Sequence, residues 1–170
     1  MPAGVKGLPP EGSTGLTAAV QTFVPFPDFA RSAAVLDARR LGKQRVETLQ
    51  VMRALTIPDY GWRHHPAVAM WRGYRPALMV YQDAIVDEWV RRGFADTTRV
   101  STLAALDEFP EDGAAYRSGD VPAPPWLGRE DVHRSHRSNL LRKDLEFYRD
   151  QGFDDPDDLP YVWPVAKGAA

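Results

Sequence analysis

The chain has 170 residues, of which 44% are hydrophobic and 26% are charged, proportions that are ordinary for one soluble globular domain. It has no cysteine, which excludes disulfides and thiolate chemistry, and no apolar run long enough to cross a membrane. The N-terminus lacks the apolar core of a signal peptide, so we expect a cytoplasmic protein. The formal net charge of −2 disfavours a protein that binds nucleic acid over its whole surface.

Residues 1–19 are rich in Gly, Pro, Ser, Thr and Ala, which predicts a disordered N-terminal extension. We expect one helical domain over residues 20–165 and a disordered tail over 166–170. A valine at position 20 is compatible with an alternative start codon. On that hypothesis the first nineteen residues would be absent from the protein in the cell.

A first long helix is predicted over residues 32–55, with Ser32 as its N-cap. Its core-facing stripe comprises Leu41, Thr48, Met52 and Leu55. A second stripe, turned away from the core, carries Arg40, Lys43, Glu47 and Gln50. The stretch from 31 to 75 holds nine Lys/Arg against three Asp/Glu, a distribution typical of a directed anion site on a mildly acidic protein.

Glu47 is the lone acid of the segment RRLGKQRVE, which carries four cations: Arg39, Arg40, Lys43 and Arg45. One interpretation is a surface ion pair between Lys43 and Glu47. The other is an acid–base residue beside a bound anion. Because Lys precedes Glu by four residues, the less favourable order for a helix-stabilising pair, the functional interpretation is favoured.

The stretch over residues 61–94 predicts a short helix from Pro66, a break at Pro76 and a longer helix that ends near Arg92. Residues 94–125 predict loops with one short helix around 102–108.

A last helix is predicted over residues 129–149, and the extended end of the chain should dock Tyr161 and Trp163 on the body. No segment predicts a strand. The expected fold is therefore all-α, a single compact helical domain with long ordered loops.

Four histidines occur as two pairs, His64 with His65 and His133 with His136. Neither pair has a carboxylate in a metal-ligand motif, and the arginines beside them would repel a divalent cation, so we expect no metal. Contacts to phosphate or to bases are the preferred interpretation for these histidines and for Arg72.

The segment SHRSNLLRKD, residues 135–144, combines hydroxyl, amide and cationic groups that suit phosphate and sugar contacts. Its candidates are Arg137, Asn139 and Lys143; the alternative is ordinary surface polarity. Tyr74 and Trp126 are candidates for stacking on bases, although such aromatic residues are more often part of a core.

The segment LDARRLGKQRVETLQV resembles the first long helix of the phage-type pyrimidine-dimer DNA glycosylases, the endonuclease V group. Those enzymes have a Leu six residues before a catalytic Glu and a Val four residues after it, a spacing that Leu41, Glu47 and Val51 match. EWVRRGF resembles a helix end of the same enzymes. Most of the chain is also similar to a widespread bacterial family, grouped beside those glycosylases, that carries RLGKQRVE, HHP…MWRGY, SHRSNLLRKD and DDLPYVWP.

The resemblance implies a glycosylase-like fold, double-stranded DNA as the partner and no cofactor. It also implies that an amine attacks C1′ of the damaged nucleotide while Glu47 transfers protons. On this reading Arg40, Lys43 and Arg45 hold phosphate. We expect the protein to act as a monomer.

In the phage-type enzymes the attacking amine is the N-terminus of the chain, whereas here nineteen residues precede Val20 and block an amine at Gln21. Three nucleophiles stay open: an amine freed by a start at position 20, the side chain of Lys43, or water. Two other functions also stay open, an enzyme acting on a free nucleotide or other phosphorylated small molecule, and a non-catalytic nucleic-acid-binding module. We expect Glu47 to line a cleft that also includes His65, Arg72 and His136.

Overall fold

A computed structural model describes residues 20–164, and the regular secondary structure of this part of the chain is entirely helical. It forms eight helices: α1 (Phe29–Ala34), α2 (Ala38–Thr56), α3 (Pro66–Ala69), α4 (Arg75–Arg91), α5 (Thr98–Leu106), α6 (Pro110–Ser118), α7 (Glu130–Lys143) and α8 (Leu145–Asp150). The all-α prediction is confirmed. The predicted extension over 1–19 and tail over 166–170 lie outside the described residues. No helix within 20–164 is long and apolar enough to cross a bilayer.

The core lies where α2 packs on α4 and α5. Its largest fully buried side chains include Trp71, Tyr81, Met52, Leu78 and Ile85. The α2–α4 contact is close because the Trp89 ring covers Gly42: a Cβ added to this glycine would lie 2.9 Å from the ring. A larger residue at position 42 would therefore push the two helices apart.

Two predicted long helices are each divided by an aspartate. Asp37 separates α1 from α2 and caps α2 by accepting from the Arg40 backbone N–H. Asp144 separates α7 from α8 and accepts from the Phe147 backbone N–H. A short carboxylate side chain competes with the helix ladder for backbone N–H groups, so it favours a new start over continuation.

The predicted starts near Pro66 and Pro76 are confirmed, since α3 begins at Pro66 and Pro76 lies in the first turn of α4. The prediction of loops over 94–125 was wrong in part, because this region contains both α5 and α6. Helix α6 ends at Gly119, whose positive φ of 77° is a conformation that glycine adopts without steric cost.

An extended stretch, residues 20–24, runs through the body ahead of α1, and we call it the entry segment. Its five residues are buried, yet no strand within residues 20–164 lies beside them. A buried backbone needs hydrogen-bond partners, and here side chains supply them. Gln44 of α2 accepts from the Phe23 N–H at 3.0 Å and donates to the Gln21 carbonyl at 2.6 Å, and Tyr81 of α4 donates to the Phe23 carbonyl at 2.7 Å.

Two histidines of α7 complete this arrangement at Val24. The Val24 N–H donates to Nδ1 of His136 at 2.9 Å. The Gly128 N–H donates to Nε2 of His133, so Nδ1 of His133 carries the proton and donates to the Val24 carbonyl at 2.8 Å. The entry segment is thereby bonded to α2, α4 and α7 at once.

Replacing Gln44 with leucine should destabilise the fold by roughly 2–4 kcal/mol, because it leaves two buried backbone groups of the entry segment without partners. Urea unfolding measures this difference. Gln50→Leu, at a partly exposed position of the same helix, is the matched control and should change the free energy of unfolding by much less. Equal effects of the two variants would contradict the structural role given to Gln44.

Candidate functional site

A cleft of about 870 Å³ opens between the entry segment, α2, the start of α3, the end of α7 and the stretch from residue 159 to 164, which we call the C-terminal segment. Its lining residues are Val20, Gln21, Phe23, Arg39, Arg40, Lys43, Glu47, His65, Pro66, Asn139, Arg142, Lys143, Pro160, Tyr161 and Trp163. The two ends of the described chain therefore meet around one site.

Glu47 is the single acid among the described residues that line this cleft, and only 9% of it is exposed. Burial raises the pKa of Glu47, against the opposing effects of Lys43, the Gln21 backbone N–H and Lys143. The Lys43 ammonium lies 3.5 Å from the carboxylate, but its side chain is 65% exposed. Glu47 is thus a carboxyl group whose proton is held more tightly than that of an ordinary surface glutamate.

Five cations line the cleft around this carboxylate: Arg39, Arg40, Lys43, Arg142 and Lys143. Arg40 also pairs with Asp37 at 3.1 Å. Burial, and then the charges of Arg40 and Lys43, lower the pKa of Lys143. Such a concentration of like charge attracts an anion, as the sequence predicted for Arg40 and Lys43.

The polar side chains of α7 hold the C-terminal segment in place. Ser138 accepts from the Leu159 N–H at 2.9 Å, and Arg142 donates to the Leu159 carbonyl at 2.9 Å. Ser135 accepts from the Val162 N–H at 3.1 Å. The polarity of SHRSNLLRKD is therefore largely used within the protein, although Asn139, Arg142 and Lys143 still reach the cleft.

Six predicted phosphate-binding residues lie outside the cleft, and four of them have partners elsewhere on the surface or in loops. Arg45 contacts Asp96 at 2.6 Å and covers the Trp89 ring. Arg137 pairs with Asp155 at 2.8 Å. Two others lie in the loop around α3: His64, whose Nε2 accepts from Arg63, and Arg72, which donates to the Arg63 carbonyl. Local partners, rather than the cleft, determine where these side chains point.

The two histidines of α7 are fully buried and bonded to the entry segment, so neither His133 nor His136 lines the cleft. The predicted cleft of Glu47, His65, Arg72 and His136 was therefore right for the first two residues and wrong for the last two. Burial lowers the pKa of His136 to about 3, so it stays neutral.

The two predicted stacking residues are also placed elsewhere. Trp126 is 2% exposed, and its indole N–H donates to the Met70 carbonyl at 2.8 Å. Tyr74 is half-buried at the start of α4, where it packs on the core. Neither offers a ring to the cleft.

Sequence reasoning did not propose Tyr161, Trp163 and Arg142 as site residues. Tyr161 and Trp163 were expected to dock on the body, but nothing in a Pro-broken tail indicates what it docks against. Arg142 lies three residues after Asn139 on one helix, so helical periodicity could have placed the two on the same face.

Residues 20–102, just under half of the chain, match the protein family described as pyrimidine dimer DNA glycosylase. This range includes the entry segment, Glu47 and His65, and it ends within α5. The match confirms the relation to the phage-type pyrimidine-dimer glycosylases that the spacing around Glu47 indicated, and at the family level it supports a glycosylase-type function. No curated protein and no solved structure matches the chain.

Among residues 20–164, no three His, Cys, Asp or Glu side chains come together so as to hold a metal ion. The arrangement that the described residues do offer is a cleft lined by five cations and one buried carboxyl group of raised pKa.

Glu47→Gln should raise the free energy of unfolding at pH 7.5, because the folded state no longer buries a carboxylate. Because folding raises the pKa of Glu47 above its ordinary value of 4.5, the native state binds more protons than the unfolded state at pH values between the two pKa values. The stability of the wild type therefore falls as the pH rises from 4.5 through the folded-state pKa. Urea unfolding at pH 4.5 and 7.5 should show a difference between the two proteins that grows with pH. A difference independent of pH would contradict the raised pKa.

Proposed function

We propose that this chain is a DNA glycosylase that excises damaged pyrimidines, with Glu47 as its acid–base residue. The observation that carries the proposal is a buried carboxylate in a cleft whose other charged lining residues are cations. Cations draw in the phosphate backbone of DNA, and a carboxyl group of raised pKa keeps a proton to higher pH than an ordinary glutamate, which suits a general acid–base residue. The family match over 20–102 includes Glu47 and supports the same chemistry.

In the proposed reaction an amine attacks C1′ of the sugar, and the C1′–N electron pair leaves with the base, which takes up a proton. The attacking nitrogen loses protons, the ring oxygen O4′ gains one as the sugar opens, and an imine joins the protein to C1′. Glu47 gives the proton to O4′ and takes one from the nitrogen. Loss of a C2′ proton from the imine would form a C2′–C3′ double bond as the C3′–O bond breaks and the 3′-phosphate leaves with its electron pair, so AP-lyase activity is part of the proposal.

The position of Gln21 bears on which nucleophile acts. Its backbone nitrogen interacts with the Glu47 carboxylate, and Val20 lines the same cleft. In the 170-residue chain this nitrogen is an amide and cannot attack. A chain that began at position 20 would have its terminal amine on residue 20, one residue before the Gln21 nitrogen and in the same cleft, while the Gln21 nitrogen itself would stay an amide. Such a terminal amine has a pKa near 8.

Two other nucleophiles are compatible with the cleft. Lys43 has its amine 3.5 Å from the Glu47 carboxylate, one helical turn away on α2. Water could attack directly, and no imine would then form. We favour the terminal amine, because its nitrogen is fixed by the buried entry segment whereas Lys43 is largely exposed.

A second candidate function is action on a free nucleotide or another phosphorylated small molecule. The volume of the cleft, about 870 Å³, is in the range of small-molecule sites and supports this alternative. Affinity for duplex DNA that falls steeply with salt would favour the glycosylase, because several phosphates would then be neutralised at once.

The decisive experiment uses duplex DNA that contains one cyclobutane thymine dimer, incubated with borohydride, which reduces an imine to a stable protein–DNA adduct. The form that begins at position 20 should give the adduct and the 170-residue form should give little. Glu47→Gln in the short form should lower the excision rate at least about 100-fold, the usual contribution of general acid–base catalysis, while DNA affinity stays within a few fold.

Glu146→Gln, at an exposed position of α8 outside the cleft, is the control and should leave the rate unchanged. Loss of the adduct in Lys43→Ala would instead assign the nucleophile to that lysine. Cleavage of the C1′–N bond without an adduct would indicate water. If neither form cleaved a C1′–N bond in dimer-containing DNA, the glycosylase proposal would be wrong and the small-molecule enzyme would be preferred.

A further inference from the structure

One side of the cleft is lined with rings, and we call His65, Tyr161 and Trp163 the aromatic wall. The Tyr161 and Trp163 ring centroids are 5.0 Å apart with the rings tilted by 37°, and the His65 ring meets Trp163 at 5.9 Å and 86°. Two of these residues come from the C-terminal segment, outside the range matched to the glycosylase family. The family match therefore gives them no role.

The aromatic wall is held firmly in place. The backbone on either side of Tyr161 is bonded to α7, through Leu159 to Ser138 and through Val162 to Ser135. The Tyr161 ring also packs edge-on against the buried His136 ring at 5.6 Å. Rings fixed before a ligand arrives lose little entropy when it binds.

His65 presents one defined hydrogen-bonding atom. Its Nδ1 accepts from the Ala67 N–H at 3.0 Å, so in the neutral ring Nε2 carries the proton. Burial lowers the pKa of His65, which keeps the ring neutral at physiological pH. Among the described residues Nε2 has no hydrogen-bond partner, and it remains available as a donor.

We propose that the aromatic wall binds an unpaired nucleobase, which stacks on Tyr161 and Trp163 and receives a hydrogen bond from His65. The cations Arg40, Lys43 and Lys143 line the same cleft and would hold the phosphate of that nucleotide. Rings for a base, cations for a phosphate and the Glu47 carboxyl group line this one cleft and together make up a complete nucleotide site. The inference rests on the proposed function and specifies its substrate as a nucleotide taken out of the base stack.

The test compares two duplexes in Glu47→Gln protein, which binds without turnover. One duplex carries a single bulged thymidine, and the other carries an abasic tetrahydrofuran analogue at the same position. Trp163→Leu should weaken binding of the thymine bulge by about 5- to 100-fold, corresponding to the loss of one stacked base, and should leave the abasic duplex unaffected. Trp163→Phe should restore most of the affinity.

Phe94→Leu removes an exposed ring outside the cleft and is the matched control, for which neither duplex should bind differently. Equal losses on the two duplexes in Trp163→Leu would overturn the proposal, because they would mean that Trp163 shapes the cleft rather than stacks on a base. No loss on either duplex would also overturn it.

A second measurement separates this inference from the glycosylase proposal. Thymidine 5′-phosphate should quench the tryptophan fluorescence of the parent protein but not that of Trp163→Phe, and deoxyribose 5-phosphate should quench neither. If the quenching depends on Trp163 but the protein excises nothing from DNA, the base site is supported and the glycosylase proposal is rejected. If Trp163→Leu leaves the rate of dimer excision unchanged, the glycosylase proposal is supported and the base site is rejected.

Discussion

The site depends on hydrogen bonds that fix a buried, extended backbone with no strand beside it. Each polar group of the entry segment that is taken out of water needs a partner, and leaving one unpaired costs about 1–3 kcal/mol. Gln44, Tyr81 and the two histidines of α7 provide those partners from three different helices. The entry segment is thereby fixed, and the backbone N–H of Gln21 acts on Glu47 by lowering the pKa of its carboxyl group.

Local ion pairs outside the cleft explain how a protein of net charge −2 contains a strongly basic cleft. Arginines outside the cleft are neutralised locally: Arg45 by Asp96, Arg75 by Asp112, and Arg137 by Asp155. Within the cleft the balance is reversed, with five cations around one glutamate. Positive potential is therefore concentrated at one place, although the molecule as a whole is slightly acidic.

Features governed by neighbouring residues could be predicted from the sequence. The proline-marked helix starts and the face that carries Lys43 and Glu47 follow from local rules and helical periodicity. The aspartates that divide two helices also act locally, but a long amphipathic pattern conceals them. That Asp37 and Asp144 each begin a new helix can be recognised only when the direction of the backbone at these residues is known.

Features that depend on distant residues could not be predicted. His136 looked like a surface ligand because its neighbours are polar, yet its partner is a backbone group 112 residues earlier in the chain. Trp126 and Trp163 are equally aromatic in sequence, and only the packing around them distinguishes a core residue from one that lines a cleft. Hydropathy describes what a side chain is, whereas its exposure depends on the whole fold.

The meeting of the first and the last described residues at the cleft has a consequence for protein synthesis. Helices α2, α4 and α5 pack together from residues that leave the ribosome early, so much of the core can form while the chain is still growing. The cleft cannot form then, because Tyr161 and Trp163 are among the last described residues to be made. Contacts between such distant positions also form slowly. A nascent chain therefore has no assembled site, and its entry segment must wait for α7 before its last hydrogen bonds can form.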